Sequence, residues 1–284
     1  MRAMTDSVQQ PATSLGVSIV LYQSDIAGLA ALLESLDSAI QHARGAGVLG
    51  EVDISIVDNS LDDHYRRQVQ ALIESSTVHD ASALVINAHN AGFGAAHNQI
   101  LRKSPCRYHL VLNPDVALDP DALTVGLTAL ETDTSTELVS PFVQGPNREQ
   151  EFLCKRYPTV WVLLLRAFGP AALKSRFDAD LASYECRDLC SGTDPAEVPL
   201  VSGCFMLGRT QSMQDIGGFD EAFFLYFEDF DLSQRLSMRG RLLYLPQMRI
   251  RHGGGYAARK GLRHIAMFVA SGVRFFNRYG WRWV

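Results

Sequence analysis

The sequence lacks any run of about 18 or more apolar residues, so no segment has the length of a simple transmembrane helix. Residues 1–14 are polar and lack the apolar stretch of a secretory signal peptide. The five cysteines are odd in number and scattered, so disulfide bonds are not expected. We therefore expect residues 1–14 to form a flexible tail and the protein to be cytoplasmic.

Acidic residues are absent from residues 235–284, a segment that holds eleven of the 26 Lys and Arg. The preceding residues hold all 31 Asp and Glu, so a basic end follows an acidic body. Such an end suggests contact with anionic lipid headgroups or nucleic acid, although an ordinary solvated face would have the same charges. We do not expect nucleic acid as the partner, because the basic residues lie on a helix appended to an acidic body.

Apolar runs alternate with helical patterns in the first half of the sequence. Strands are predicted at residues 16–22, 52–57, 83–87 and 110–112, and helices at 26–40, 62–75 and 91–101. This alternation is typical of an α/β protein with a mostly parallel, doubly wound sheet. Residues 178–198 are polar, and we expect a mobile loop or lid there.

Polar side chains stand where two predicted strands end. Asp58 follows the second strand and could accept hydrogen bonds from a base or a ribose, or could cap a turn. Asn113 and Asp115 flank Pro114 after the fourth strand. They could form a simple Asx-Pro turn, or Asp115 could hold a divalent cation that bridges diphosphate oxygens.

A glycine-rich segment, residues 90–98, joins the third predicted strand to a helix. Gly92 and Gly94 allow close approach to the backbone, and the N-terminus of the following helix favours phosphate. The segment does not have the Rossmann dinucleotide pattern, because its third glycine is missing and it lies in the third strand–helix unit.

Three carboxylates, Glu228, Asp229 and Asp231, follow a run of aromatic residues at the start of a predicted helix. They could serve only as a capping cluster, since acids stabilise that end of a helix. A desolvated carboxylate there could instead have a raised pKa and act as a general base. His252 precedes three glycines and is either structural or, with Asp115, a ligand that suits Mn²⁺ and tolerates Mg²⁺.

Residues 259–279 have the spacing of an amphipathic helix. Its predicted apolar side consists of Leu262, Ile265, Val269, Val273 and Phe276. Its predicted basic side consists of Lys260, Arg263, Arg274 and Arg278. The helix could lie on an anionic bilayer, or its apolar side could pack on the rest of the protein.

Taken in order, these motifs resemble those of the inverting nucleotide-sugar glycosyltransferases of family 2, which have the GT-A fold. Within that family they are most similar to the bacterial rhamnosyltransferase-like branch that builds cell-surface polysaccharide. The resemblance covers about residues 15–280. Its most specific part is the acidic-aromatic motif at residues 226–231 together with His-Gly-Gly-Gly at residues 252–255.

The resemblance implies a GT-A catalytic domain at residues 15–255, with a nucleotide-sugar half at 15–116 and an acceptor half at 117–255. A basic amphipathic helix at 256–284 would follow. Asp229 is implied as the catalytic base, and Asp115 and His252 as ligands of Mg²⁺ or Mn²⁺. The implied nucleotide-sugar contacts are Tyr22, Asp58, Asn90, Gly92, Gly94, Asn98 and Asn113. The implied acceptor-side residues are Gly203 and Glu228.

The implied reaction is inverting transfer of a sugar to a hydroxyl of a glycan or lipid-linked acceptor, with dTDP-rhamnose as the first choice of donor. A UDP-hexose or UDP-galactofuranose is the next choice. A non-catalytic nucleotide-sugar binding protein is the alternative, supported by Asn113, which replaces the first Asp of the family's Asp-x-Asp motif. If the C-terminal helix lies on an anionic bilayer, the cytoplasmic protein would be peripheral on the inner face of the cell membrane.

Overall fold

The computed structural model describes residues 13–253 and 261–284, which form an α/β fold. The strands are β1 Thr13–Leu21, β2 Leu49–Asp58, β3 Ser82–Ile86, β4 Tyr108–Leu112, β5 Val116–Leu118, β6 Thr136–Gln144, β7 Gln150–Glu151, β8 Cys154–Lys155, β9 Ala196–Glu197, β10 Leu200–Val201, β11 Phe205–Arg209 and β12 Arg241–His252. The helices are α1 Ile26–Gly45, α2 Asp63–Ser75, α3 Phe93–Leu101, α4 Ala122–Thr132, α5 Val160–Phe168, α6 Ala171–Arg176, α7 Asp178–Tyr184, α8 Arg187–Cys190, α9 Thr210–Asp215, α10 Glu228–Ser237 and α11 Leu262–Tyr279.

Ten of the strands form one sheet whose main order is β3-β2-β1-β4-β11-β6-β12-β5. The first four strands are parallel, and β12 is parallel to β6, whereas β11 runs antiparallel to β4 and β6. The predicted α/β class with a mostly parallel sheet is confirmed. Both predicted halves of the catalytic domain contribute strands to this sheet, and they meet where β4 of the first half pairs with β11 of the second.

The central strand β1 is buried on both faces, as expected for a parallel strand covered by helices. Helix α1 packs Leu29, Leu32 and Leu36 into the same core. Its N-terminus is fixed by the Asp25 carboxylate, which accepts a hydrogen bond from the backbone N–H of Gly28 at 2.8 Å. The helix therefore starts directly beyond the carboxyl end of β1, where a ligand site is expected.

Two local predictions are wrong. Residues 178–198 contain α7 and α8, because Leu181 and Tyr184 are buried against α5. Arg187 adds ion pairs with Asp178 at 2.9 Å and Glu185 at 2.8 Å. The predicted tail also ends earlier than expected, because β1 begins at Thr13.

Helix α11 confirms the predicted C-terminal helix, although residues 254–260, including Lys260, lie outside the described residues. It packs through Ser271, Gly272, Phe275 and Phe276. The other predicted apolar positions remain exposed: Leu262, Ile265, Val269 and Val273. Of the helices in the described residues, none has the length and apolar character needed to cross a bilayer.

Candidate active site

A cleft of about 1570 Å³ opens at the carboxyl ends of β1 and β4. The predicted site residues that line it are Tyr22, Asn90, Gly92, Asn113, Asp115 and His252. These residues come from both predicted halves of the domain. The cleft lies where helices and strands of the open sheet leave room for a ligand.

Asp115 and His252 meet at the cleft wall through the pairing of β5 with β12. His252 lies opposite Val116 in the strand register, and the Gly253 N–H donates to the Asp115 carbonyl at 2.8 Å. His252 Nε2 lies 3.4 Å from Asp115 Oδ2. The Asp115 side chain, followed by Glu151, raises the pKa of His252 to about 9 despite its burial.

The residues at this position fit a small divalent cation. A carboxylate oxygen and an imidazole nitrogen are a donor set that suits Mn²⁺ and tolerates Mg²⁺. Within residues 13–253 and 261–284, no group of three or more His, Cys, Asp or Glu side chains is arranged to hold a metal ion. Most ligands would therefore come from water and substrate phosphates, as is common for Mg²⁺.

The acidic motif is positioned by an unusual turn. Tyr226 and Phe227 both have left-handed backbone angles, with φ of 71° and 64°, immediately before α10. Phe227 is buried against Phe275 of α11, with ring centroids 5.4 Å apart. Non-glycine residues keep such angles only when their surroundings hold them there. Packing of α11 therefore helps to fix the direction in which Glu228 and Asp229 leave the turn.

The Asp229 carboxylate accepts hydrogen bonds from the N–H of Gly203 at 2.8 Å and of Phe230 at 2.9 Å. Burial raises the pKa of Asp229, and these hydrogen bonds oppose the increase. Burial, followed by the charge of Asp229, raises the pKa of Glu228 well above its usual range. The two backbone hydrogen bonds favour the ionised form of Asp229, which makes Asp229 the better candidate of this pair for a proton acceptor.

Asp229 does not belong to the described residues that line the cleft, but it lies beside them. A Cβ on Gly203 would be 3.1 Å from the Phe93 ring, which lines the cleft, and 3.3 Å from the Asp229 Cβ. The next residue, Cys204, accepts a hydrogen bond from the Asn113 N–H at 2.9 Å. The predicted base, acceptor-side and metal residues therefore occupy one region.

The glycine-rich segment is docked on the residues that precede the acidic motif. Gly92 has φ of 86°, and a Cβ there would lie 2.5 Å from the carbonyl oxygen of Phe224. That same oxygen accepts a hydrogen bond from the Phe93 N–H at 3.1 Å. Asn59 donates from its amide to the Gly92 carbonyl at 3.2 Å and also lines the cleft. Only glycine fits this close approach without strain.

Three predicted nucleotide contacts lie away from the cleft lining. The Asp58 carboxylate is buried and accepts from the Ser60 N–H at 2.8 Å. Gly94 packs directly on Phe219, and the Asn98 amide accepts from the Phe219 N–H and donates to its carbonyl, both at 2.9 Å. Nucleotide contact by these three residues stays a prediction, and their positions give Gly94 and Asn98 a packing role.

Asn59 and Glu151 are site residues that the sequence reasoning missed. Asn59 directly follows Asp58, so the polar end of the second strand was a usable signal. Glu151 gave no such signal, because its contact with His252 depends on the β6–β7 hairpin.

Comparisons with known proteins agree with this geometry. The sequence model of "Glycosyl transferase family 2" matches residues 17–217. An N-acetylglucosaminyl-diphospho-decaprenol L-rhamnosyltransferase of Mycobacterium tuberculosis is 28% identical over 146 residues, 50% of this chain and 46% of the relative. The chain thus matches about half the length of that relative. Rhamnosyltransferase WbbL of Escherichia coli is 25% identical over 68% of this chain and 75% of its own.

Two solved structures share the fold. GalNAc-T7 with UDP, GalNAc and Mn²⁺ superposes with a TM-score of 0.61 at 13% identity, over 88% of this chain and 45% of that one. Mannosyltransferase PcManGT of Pyrobaculum calidifontis with GDP-Man and Mn²⁺ superposes with a TM-score of 0.60 at 15% identity, over 95% of this chain and 66% of that one. The predicted GT-A fold is confirmed. With the family match covering most of the sequence, the chain belongs to glycosyl transferase family 2.

Proposed function

We propose that the protein transfers a sugar, with inversion, from a nucleoside-diphosphate donor to a hydroxyl of a glycan or lipid-linked acceptor. The observation that carries the proposal is the Asp115–His252 pair in the wall of a cleft, with Asp229 beside it. A cleft with this arrangement can place the donor diphosphate near Asp115 and His252 and the acceptor hydroxyl near Asp229. Direct displacement by that hydroxyl requires no enzyme nucleophile.

In the proposed reaction, Asp229 accepts the proton of the acceptor hydroxyl as its oxygen attacks the anomeric carbon. The Gly203 and Phe230 N–H groups hold both carboxylate oxygens of Asp229 and so fix its direction. Asp115 and His252 would hold Mg²⁺ or Mn²⁺, which neutralises charge on the leaving diphosphate when it is bound. The two solved structures, both named with Mn²⁺, support this assignment.

The names of the rhamnosyltransferase relatives support rhamnose as the transferred sugar. We propose dTDP-rhamnose as the donor and a cell-surface glycan as the product, as the sequence resemblance implies. The mycobacterial relative is named for a diphospho-decaprenol acceptor, which supports a lipid-linked acceptor here. A UDP-hexose or UDP-galactofuranose is the second donor candidate. Release of dTDP, compared with UDP, across a panel of donors with Mg²⁺ or Mn²⁺ would distinguish them.

The test of the mechanism is Asp229→Asn. Loss of a positioned base should lower turnover by about 10²–10⁴-fold. Calorimetry should still detect binding of dTDP-rhamnose, since Asp229 lies outside the cleft lining. Asp180→Asn, which removes an exposed carboxylate of α7, is the matched control and should keep wild-type turnover. Wild-type turnover by Asp229→Asn would remove Asp229 from the mechanism.

We also propose that α11 rests on an anionic bilayer. Its exposed apolar positions recur at helical spacing, and Leu262 and Val269 are 85% and 55% exposed. Exposed Arg263 and Arg274 lie on the same helix, and the exposed Trp281 stacks on Phe276 just after it. Apolar residues, arginines and tryptophans together are typical of helices that lie in the membrane interface. Such a position would bring the cleft to a lipid-linked acceptor.

Sedimentation with vesicles that contain phosphatidylglycerol tests the membrane proposal. Leu262→Glu combined with Val269→Glu should lower the bound fraction by at least tenfold, because each change places a charge in the interface. Met238→Glu, at a 77% exposed position on α10's C-terminal side, is the control and should bind like wild type. Preferential binding of the wild-type protein to duplex DNA, or no effect of the double variant, would contradict the proposal.

A further inference from the structure

Glu151 contacts the side of His252 that faces away from Asp115. Its Oε2 lies 2.9 Å from His252 Nδ1, while Nε2 of the same ring lies 3.4 Å from Asp115 Oδ2. The imidazole thus has a carboxylate at each ring nitrogen. Only one of them, Asp115, belongs to the residues that line the cleft.

The fold brings Glu151 to this position through a short hairpin. Residues 145–149 form its turn, in which the Gly145 N–H donates to the Glu149 carbonyl at 2.9 Å. In the strand register, Glu151 of β7 lies opposite Val143 of β6, and Val143 lies opposite Ile250 of β12. Both contacts of His252 are therefore set by strand pairing, through β6 and β7 on one side and through β5 on the other.

We propose that Glu151 is a positioning residue that prepares His252 to bind a divalent cation, an inference that rests on the metal-dependent function proposed above. A carboxylate at Nδ1 keeps a proton on that nitrogen, so that Nε2 is the nitrogen whose proton a cation would displace and whose lone pair it would bind. It also fixes the plane of the ring and makes the ligating nitrogen more basic. Nε2 then points toward Asp115, so both ligands are aimed at one place before the cation arrives.

This role predicts a specific effect on metal affinity. Loss of a carboxylate that supports a metal-binding histidine typically weakens metal binding by about 10–100-fold. A purely structural role, in which Glu151 only ties the hairpin to β12, would change stability but not affinity. Metal affinity and thermal stability of the metal-free protein therefore separate the two roles.

The experiment titrates Mn²⁺ into the full chain in the presence of dTDP and follows the spin-resonance signal of free Mn²⁺. Glu151→Ala should bind Mn²⁺ about 10–100-fold more weakly than wild type. Glu151→Gln keeps a hydrogen-bond acceptor without the charge and should retain part of the affinity. Glu149→Ala is the matched control, because it removes an exposed carboxylate from the same hairpin, and it should bind like wild type.

Wild-type affinity in both Glu151 variants would overturn the positioning role while leaving the proposed function intact. An equal loss of Mn²⁺ affinity in Glu149→Ala would also overturn the positioning role, because removal of any carboxylate from the hairpin would then have the same effect. Absence of Mn²⁺ binding by the wild-type protein would overturn the metal part of the proposed function and this inference together. If Glu151→Ala fails to fold, the comparison of Glu151→Gln with Glu149→Ala still decides the question.

Discussion

Replacement of His109 by Gln should make the fold less sensitive to acid. The Ser18 hydroxyl lies between two buried histidines, 2.7 Å from His97 Nδ1 and 2.9 Å from His109 Nε2. Burial lowers the pKa of each histidine to about 3 in the folded protein, with the neighbouring His109 adding to the effect at His97. Both histidines are therefore neutral when folded, whereas in the unfolded chain their pKa is about 6.5.

The direction of the pH effect on the free energy of unfolding follows from proton uptake. Between pH 6.5 and 3 the unfolded chain binds more protons, so the free energy of unfolding decreases as the pH falls. From pH 7 to pH 5 each unfolded histidine becomes almost fully protonated while its folded counterpart does not. The free energy of unfolding therefore decreases between pH 7 and pH 5 by about 1.9 kcal/mol for each histidine, or about 3.8 kcal/mol for the pair. Any folded-state pKa below about 4 gives nearly the same loss at pH 5.

Urea unfolding at pH 7 and pH 5 measures this loss. His109→Gln keeps a polar group near Ser18 and should be less stable than wild type at pH 7. Its loss of stability from pH 7 to pH 5 should nevertheless be smaller than that of wild type by about 2 kcal/mol. His89→Gln, at an exposed position, is the control and should keep the wild-type loss. Equal losses in wild type and His109→Gln would refute the reasoning.

Three further predictions concern Gly92 in the cleft and two residues of the acidic motif. Gly92→Ala would press a Cβ onto the Phe224 carbonyl in a left-handed backbone, so calorimetry should show donor binding weakened by at least tenfold. Asp231 accepts from Arg278 and two other side chains, so Asp231→Ala should lower the free energy of unfolding by about 3 kcal/mol in urea titrations. Glu228→Gln should stay within about 1 kcal/mol of wild type in the same assay, because burial already favours the neutral acid.

The fold could be predicted from sequence where a pattern is local. The alternation of apolar runs with helical spacing is enough to place β1 to β4 and the helices between them, because each such element buries its own periodic residues. The strand ends also indicated where ligands collect, and Asn113 and Asp115 do reach the cleft. The chemistry of Asp115 and His252 allowed a shared metal site to be suggested although they are distant in sequence, and the family resemblance turned that suggestion into an expectation.

Features that depend on partners distant in sequence could not be predicted. The contact of Glu151 with His252 requires three neighbouring strands to be in register. The exposed side of α11 has the same spacing as a core-facing stripe, and only the position of Phe275 and Phe276 shows which side packs. The helices at residues 178–190 form although the segment is polar, because Leu181 and Tyr184 are buried against residues of α5 that lie outside the segment.

The packing of α11 on Phe227 has a practical consequence for anyone who shortens this protein. The family match ends at residue 217, before the turn at Tyr226 and Phe227 and before Asp229. A truncation that kept α10 but discarded α11 would remove Phe275 from beneath that turn. The backbone could then relax to ordinary angles and swing the carboxylate away from Gly203. We therefore expect a version that ends before α11 to misplace the proposed base, and expression boundaries should extend beyond Tyr279.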